Sequence, residues 1–218
     1  MLNEPTNVCL FGAGGHGRVV AAIAHKIWPR AELCFGDQQR PLGTPVGALS
    51  IRFSKLEDIV DHAIITTIGN TVARKACMQH AARLGLPFAT LIANPDTYYA
   101  KPPGAGSMAL SAVVVNPGAQ IGAGVILNSG AIVEHDCVIG DYCHLAPGAV
   151  VLGDCTLGNE VWLGANATIL QGLSITDNVT IGAGSVVTAN ITETGTYVGQ
   201  PARKISHIST LSPHSKAD

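Results

Sequence analysis

From Val113 to Asn190 the chain repeats a pattern of six residues without a break. Cut every six residues from Val113, the third place of each block is aliphatic in thirteen consecutive blocks, from Val115 and Ile121 through Ile181 and Val187. The first place is mostly thin, as in Ala119, Ala131, Cys137, Cys143, Ala149, Cys155 and Ala167, while the fourth to sixth places collect Gly, Asn, Asp and Pro. A period of six is not an α-helical stripe, which recurs at three and four residues, and it is too long for simple strand alternation. It fits a short extended piece closed by a turn, repeated many times. Three such pieces make one triangular coil of 18 residues, with the aliphatic places pointing into a narrow prism. Successive coils then stack at about 4.8 Å, and each buries its apolar edge only against its neighbours. The 78 residues of the repeat hold a little over four such coils.

The repeat is preceded by a different kind of chain. Asn7–Phe11 is a short apolar run that stops at Gly12-Ala13-Gly14-Gly15-His16-Gly17, and Arg18–Ile27 has helical character. In this strand, glycine turn, helix order, Gly12, Gly14 and Gly17 fit the nucleotide-binding fingerprint, in which missing side chains let the backbone turn tightly and approach a phosphate at the helix start. A second strand, Ala31–Phe35, leads to Asp37, 20 residues after Gly17, where a carboxylate can hold a ribose or base by hydrogen bonding. A strand over Ala63–Thr67, a turn at Gly69-Asn70, a helix over Thr71–Leu84 and a fourth strand over Phe88–Ile92 complete the segment. Four strands make half a dinucleotide fold, which has room for one nucleotide. A nucleotide-sugar therefore fits better than NAD, although an NAD-dependent enzyme remains the rival reading, with a purely structural rod as a third. The expected division is 1–92 as an α/β domain and 93–112, with Pro95, Pro102 and Pro103, as a linker and imperfect first coil. The prism then occupies 113–205, and 206–218 is a polar tail expected to be mobile.

Charge is sparse, at 13% of residues, and the net charge of −2 gives no basic field for nucleic acid. No apolar run reaches the length of a membrane span, and the start MLNEPTN lacks the build of a signal peptide, so a soluble cytoplasmic protein is expected. Of six cysteines, Cys137, Cys143 and Cys155 all fall on the thin first place, which a reduced thiol suits as small apolar packing.

Within so regular a repeat the polar exceptions carry information. Glu134, His135 and Asp136 share one turn, and a histidine beside a carboxylate is the pair a general base needs. His144, nine residues on, occupies the second place of its block and should face outward toward a ligand lying along the rod. These two histidines find no convincing third ligand inside the repeat, so no metal is expected. His25, His62 and His80 read as surface residues, and Arg203 and Lys204 follow the repeat as two basic groups.

The repeat resembles the hexapeptide-repeat acyltransferases, whose catalytic domain is a left-handed parallel β-helix. From Val8 to Lys204 the whole arrangement is similar to one subgroup, the nucleotide-4-amino-sugar N-acetyltransferases and sialic acid O-acetyltransferases. The marks are the glycine turn, Ile68-Gly69-Asn70, Glu134-His135-Asp136 with His144, and Val198-Gly199-Gln200-Pro201-Ala202. The fold class implied is a half-Rossmann α/β domain followed by a left-handed parallel β-helix. The resemblance further implies transfer of acetyl from acetyl-CoA to the 4-amino group of a nucleotide-linked sugar, UDP being expected, for bacterial surface glycan synthesis. A GDP-amino-sugar and a sialic acid hydroxyl are the near alternatives. By the same resemblance His135 is the base and Asp136 raises its basicity, at a position that is commonly Glu. Gly14, Gly15, His16, Asp37 and Gly69 would hold the nucleotide-sugar. His144, Gly153, Ala165, Ala183 and Arg203 would meet acetyl-CoA, Gly153 through a backbone amide facing the oxyanion. The family usually forms homotrimers with sites between subunits. Asn94-Pro95 stands where many members have His-Pro.

Overall fold

The computed structural model describes residues 4–205, so the tail expected over 206–218 lies outside the described residues. The amino-terminal part is an α/β sandwich of β1 (Asn7–Phe11), α1 (Gly15–Ile27), β2 (Glu32–Gly36), β3 (Pro45–Val46), β4 (Leu49–Phe53), β5 (Ala63–Thr66) and α2 (Thr71–Arg83). The sheet order is β3-β4-β2-β1-β5, parallel except for the β3–β4 hairpin. α1 buries Gly17, Val20 and Ala24, and α2 buries Arg74, Met78 and Ala81, each at the three-to-four-residue spacing of one helical stripe. Asn70 caps α2 by accepting the Ala73 N–H at 2.9 Å.

Two features differ from the sequence reading. The β3–β4 hairpin was not foreseen, because two residues of strand beside Gly47 leave too little alternation to recognise. The expected fourth strand over Phe88–Ile92 does not join this sheet: Phe88 makes one isolated bridge to Ile64, and Leu91–Ile92 pairs with Met108–Ala109 at the base of the prism. The segment 93–112 therefore contributes strand to the prism before the regular hexads begin.

The carboxy-terminal part is a left-handed parallel β-helix. Its strands pair in parallel with an 18-residue step, as in Ile126↔His144↔Trp162↔Thr180 on one face and Ile132↔Val150↔Thr168 on the next. All thirteen third-place residues are 8% exposed or less, and with the thin first places they form one continuous core. Each corner turns on its sixth place, where φ is positive from Gly118 through Gly184 without exception. That conformation favours glycine, asparagine and aspartate, which explains the composition of this place.

The three faces differ outside the core. One carries Met108, Ile126, His144, Trp162 and Thr180, and its lower residues share a core with Val8, Leu10 and Val20 of the α/β part. This is the docked face. The second presents the half-buried Val114, Ile132, Val150, Thr168 and Val186, and the third the exposed Gln120, Val138, Thr156 and Ser174. A hairpin over Gly195–Val198 and Arg203–Ile205 closes the top of the docked face. Among the described residues no helix is long and apolar enough to cross a membrane.

Candidate active site

The glycine turn divides into two kinds of glycine. Gly12 has φ +117, and a Cβ on Gly17 would lie 2.1 Å from the Gly12 carbonyl oxygen, so these two are required by the turn itself. Gly14, Gly15 and Gly69 have ordinary φ values, and a Cβ on any of them would meet nothing within 4 Å. Their lack of side chains leaves open ground at the start of α1, where Gly14 caps the helix with no side-chain bond and the first-turn N–H groups are free to attract a phosphate. Asp37 shapes this loop: Oδ2 accepts the Ala13 N–H at 2.8 Å, and Oδ1 accepts those of Gln39 and Arg40 at 2.8 and 3.2 Å.

Behind the loop lies the junction with the prism. His144 does not face solvent as its second place suggested; it is 8% exposed. The reason is the docked domain. Its Nδ1 donates to the Gly69 carbonyl at 3.2 Å and its Nε2 accepts from Asn128 at 3.2 Å, which fixes a neutral ring. Burial first, then the charge of Arg74, push its pKa down to about 3. His16 stands 6.2 Å away, centroid to centroid, with Nε2 buried and unpartnered among the described residues, and burial pushes its pKa down to about 4. Arg74, fully buried, donates to the carbonyls of Gly124, Ile68, Gly69, Tyr142 and Cys143, tying α2 and the Gly69 turn to two successive coils. Among the described residues it has no carboxylate partner, and burial lowers its pKa to about 10. Sequence reasoning missed Arg74, since an arginine in a helix with a weak apolar stripe looks like a solvated residue. Lys75 adds a salt bridge to Glu160 on the prism.

His135 and Asp136 sit on the edge between the second and third faces. His135 Nδ1 lies 2.9 Å from Asp136 Oδ2, and both side chains are about two-thirds exposed, at 63% and 67%. That bond, followed by the charges of Asp136, Glu134 and Asp154, holds the His135 pKa above its ordinary value. Asp136 occupies the sixth place with φ +61, a conformation that a short acidic side chain tolerates better than glutamate. Glu134 is occupied in accepting from Asn116 at 2.8 Å. One coil above, Gly153 lies against the His135 ring, and among the described residues its N–H makes no backbone hydrogen bond.

The structure thus groups Gly14, Gly15, His16, Gly69 and His144 at the junction, but within one chain it does not bring His135 to them. The edge bearing His135 is the one opposite the docked face. Ala165 and Ala183 stack on successive coils at another edge, where the Gly184 N–H donates to the Ala165 carbonyl at 2.8 Å. Arg203 is exposed in the closing hairpin, and among the described residues its side chain reaches only the Ala202 carbonyl. A cavity of about 420 Å³, lined by Thr6, Asn7, Asp61, His62 and Leu86, opens at the opposite end of the sheet from the glycine turn. His62 is buried there rather than on the surface, because its Nδ1 turns in on the Val60 carbonyl. Among the described residues no three His, Cys, Asp or Glu side chains converge on a metal position.

Comparison with known proteins agrees with this two-part architecture. The family described as the PglD N-terminal domain matches residues 7–81, and the bacterial transferase hexapeptide family matches 118–153 and 154–189. The acetyltransferase domain of PglB from Neisseria gonorrhoeae FA1090 is 32% identical, with a TM-score of 0.85 over 93% of this chain and 100% of that one. The same domain in complex with acetyl coenzyme A gives 31% identity and a TM-score of 0.79 over 91% and 98%. PerB from Caulobacter crescentus, in complex with CoA and GDP-perosamine, is alike at the level of the fold, with 24% identity and a TM-score of 0.79 over 91% and 97%. No curated protein sequence matches the chain.

Proposed function

We propose an acceptor and a mechanism from one premise: the chain belongs to the bacterial hexapeptide-repeat sugar acetyltransferases that carry a PglD-type N-terminal domain. It is an acetyltransferase that uses acetyl-CoA and acts on a sugar amine. In our reading the acceptor is the 4-amino group of a UDP-linked amino-deoxysugar, used in the cytoplasm for bacterial surface glycan synthesis. The diphosphate would lie on the free N–H groups at the start of α1, over Gly14 and Gly15, with His16, Asp37 and Gly69 around the sugar and nucleoside. Ala165 and Ala183 would present backbone groups to the pantetheine arm, and Arg203 would meet the phosphates of the coenzyme.

The observation that carries the chemistry is the His135–Asp136 pair. Asp136 engages Nδ1, which leaves Nε2 as the nitrogen able to take a proton. As the amine lone pair attacks the thioester carbonyl carbon, a C–N bond forms and Nε2 takes the amine proton. The Gly153 N–H faces the oxyanion. Collapse breaks the C–S bond, and the thiolate leaves as CoA-SH with the proton returned by His135. Because His135 stands opposite its own docked face, we read the working unit as a homotrimer in which one chain's base serves the acceptor held by its neighbour.

The test is coenzyme A thiol release against a panel of UDP- and GDP-amino-sugars and free sialic acid. His135→Ala is expected to lose about a hundredfold or more of turnover on the preferred acceptor. Release only with a hydroxyl acceptor, or a variant as fast as wild type, overturns the reading.

A further inference from the structure

The glycine at 153 is not there for the turn. It occupies the fifth place of its hexad, and positive φ in this prism belongs to the sixth; Asp154, next to it, has φ +60. The same column on the coils below and above holds Pro117, His135 and Gln171, so the position accepts a side chain of any size elsewhere. What distinguishes 153 is the imidazole beneath it. A Cβ built there would lie 2.6 Å from Nε2 of His135, 2.7 Å from Cε1 and 3.2 Å from Cδ2, well inside contact distance. The ring therefore lies over the bare Cα, in the space a side chain would fill, and with Nδ1 engaged by Asp136 at 2.9 Å the free Nε2 is the ring atom nearest that space.

We infer that Gly153 is a positioning residue whose absent side chain opens a notch on the prism edge that seats the His135 ring itself, so that Nδ1 stays on Asp136 and Nε2 is held where it meets the acceptor amine. This rests on the acyl-transfer reading above and deepens it. The notch accounts for two facts together: a glycine where the backbone needs none, and a ring whose working nitrogen faces that glycine. A methyl group at 153 overlaps the ring and turns it off Asp136. Proton transfer then fails, while the N–H of residue 153 is retained.

Gly153→Ala separates this role from that of the N–H and from folding. The expected result is a loss of about a hundredfold in kcat, with the KM for acetyl-CoA within about twofold of wild type and an unchanged melting temperature. In the His135→Ala background the same substitution is expected to cost nothing further, because the ring it obstructs is gone. Turnover of Gly153→Ala within about threefold of wild type overturns the notch, as does a loss that multiplies with that of His135→Ala. Failure of the underlying reading looks different: His135→Ala itself then retains activity, whatever residue 153 does.

Discussion

Asp136 does two things at once, and they are separable. Its backbone takes the left-handed corner conformation that every coil needs, and its carboxylate meets Nδ1 of His135 from that corner. Since the His135 pKa is raised chiefly by this hydrogen bond, the base is protonated at neutral pH more than a free histidine would be. Activity should therefore rise with pH through a value above the ordinary 6.5 or so. Asp136→Asn keeps the corner conformation and removes the charge. The acid limb of kcat/KM should move to lower pH, and the plateau should fall by about tenfold or more as the ring loses its orienting partner. A pH–rate profile checks both, and a limb that stays in place removes Asp136 from the proton-transfer step. Adjacent residues such as these are legible in a sequence because the chain itself holds them together. Arg74 was not: its partners lie 50 and 68 residues away at Gly124 and Tyr142, and nothing local distinguishes it from a solvated arginine. His144 was half legible. Its outward second place was right, but a sequence period cannot say which face of a prism another domain will cover.

At the scale of the element, the hexad is a contract between two places. The third place fills the core, and the sixth must bend the chain through positive φ. The first requirement was plain from aliphatic spacing. The second was visible only as a preference for Gly, Asn and Asp, and its exceptions are informative. Tyr142 and Glu160 adopt φ +59 and +60 at the edge where α2 packs, and there the Tyr142 carbonyl takes Arg74 while Glu160 takes Lys75. Docking thus sustains backbone strain that composition alone would have ruled out. Ala112, at φ +59 on an exposed corner, has no such compensation, whereas Gly130, one coil above, would place a Cβ no closer than 3.9 Å to any atom. Ala112→Gly should stabilise by about 0.5 kcal/mol, the relief of strain being partly offset by the freer unfolded chain, and Gly130→Ala should destabilise by about 1 kcal/mol. Opposite shifts in denaturant midpoint would confirm that φ, not packing, sets this place. Equal signs would refute it.

At the scale of the molecule the decisive fact is an opposition. The α/β domain is fixed to one face by a shared core, Arg74 and the Lys75–Glu160 pair, while His135 stands on the edge across from that face. Bound this firmly, a domain does not swing around the prism to reach its own histidine. A second copy placed side by side can bring its edge to the junction, as closed rotational symmetry allows. If each site draws its glycine loop from one chain and its base from another, two inactive variants should repair each other. Gly15→Glu supplies the loop defect: there is open space at that position, an acid at a helix start favours the helix, and its charge repels a phosphate. His135→Ala supplies the other. Refolded together in equal amounts, half of the loops and half of the bases are intact, so random assembly leaves about a quarter of the sites whole. Thiol release should recover to about a quarter of the wild-type rate after mixing, although each variant alone is inactive. If every site were built within one chain, no mixed assembly would contain an intact one, and the mixture would stay as inactive as its parts.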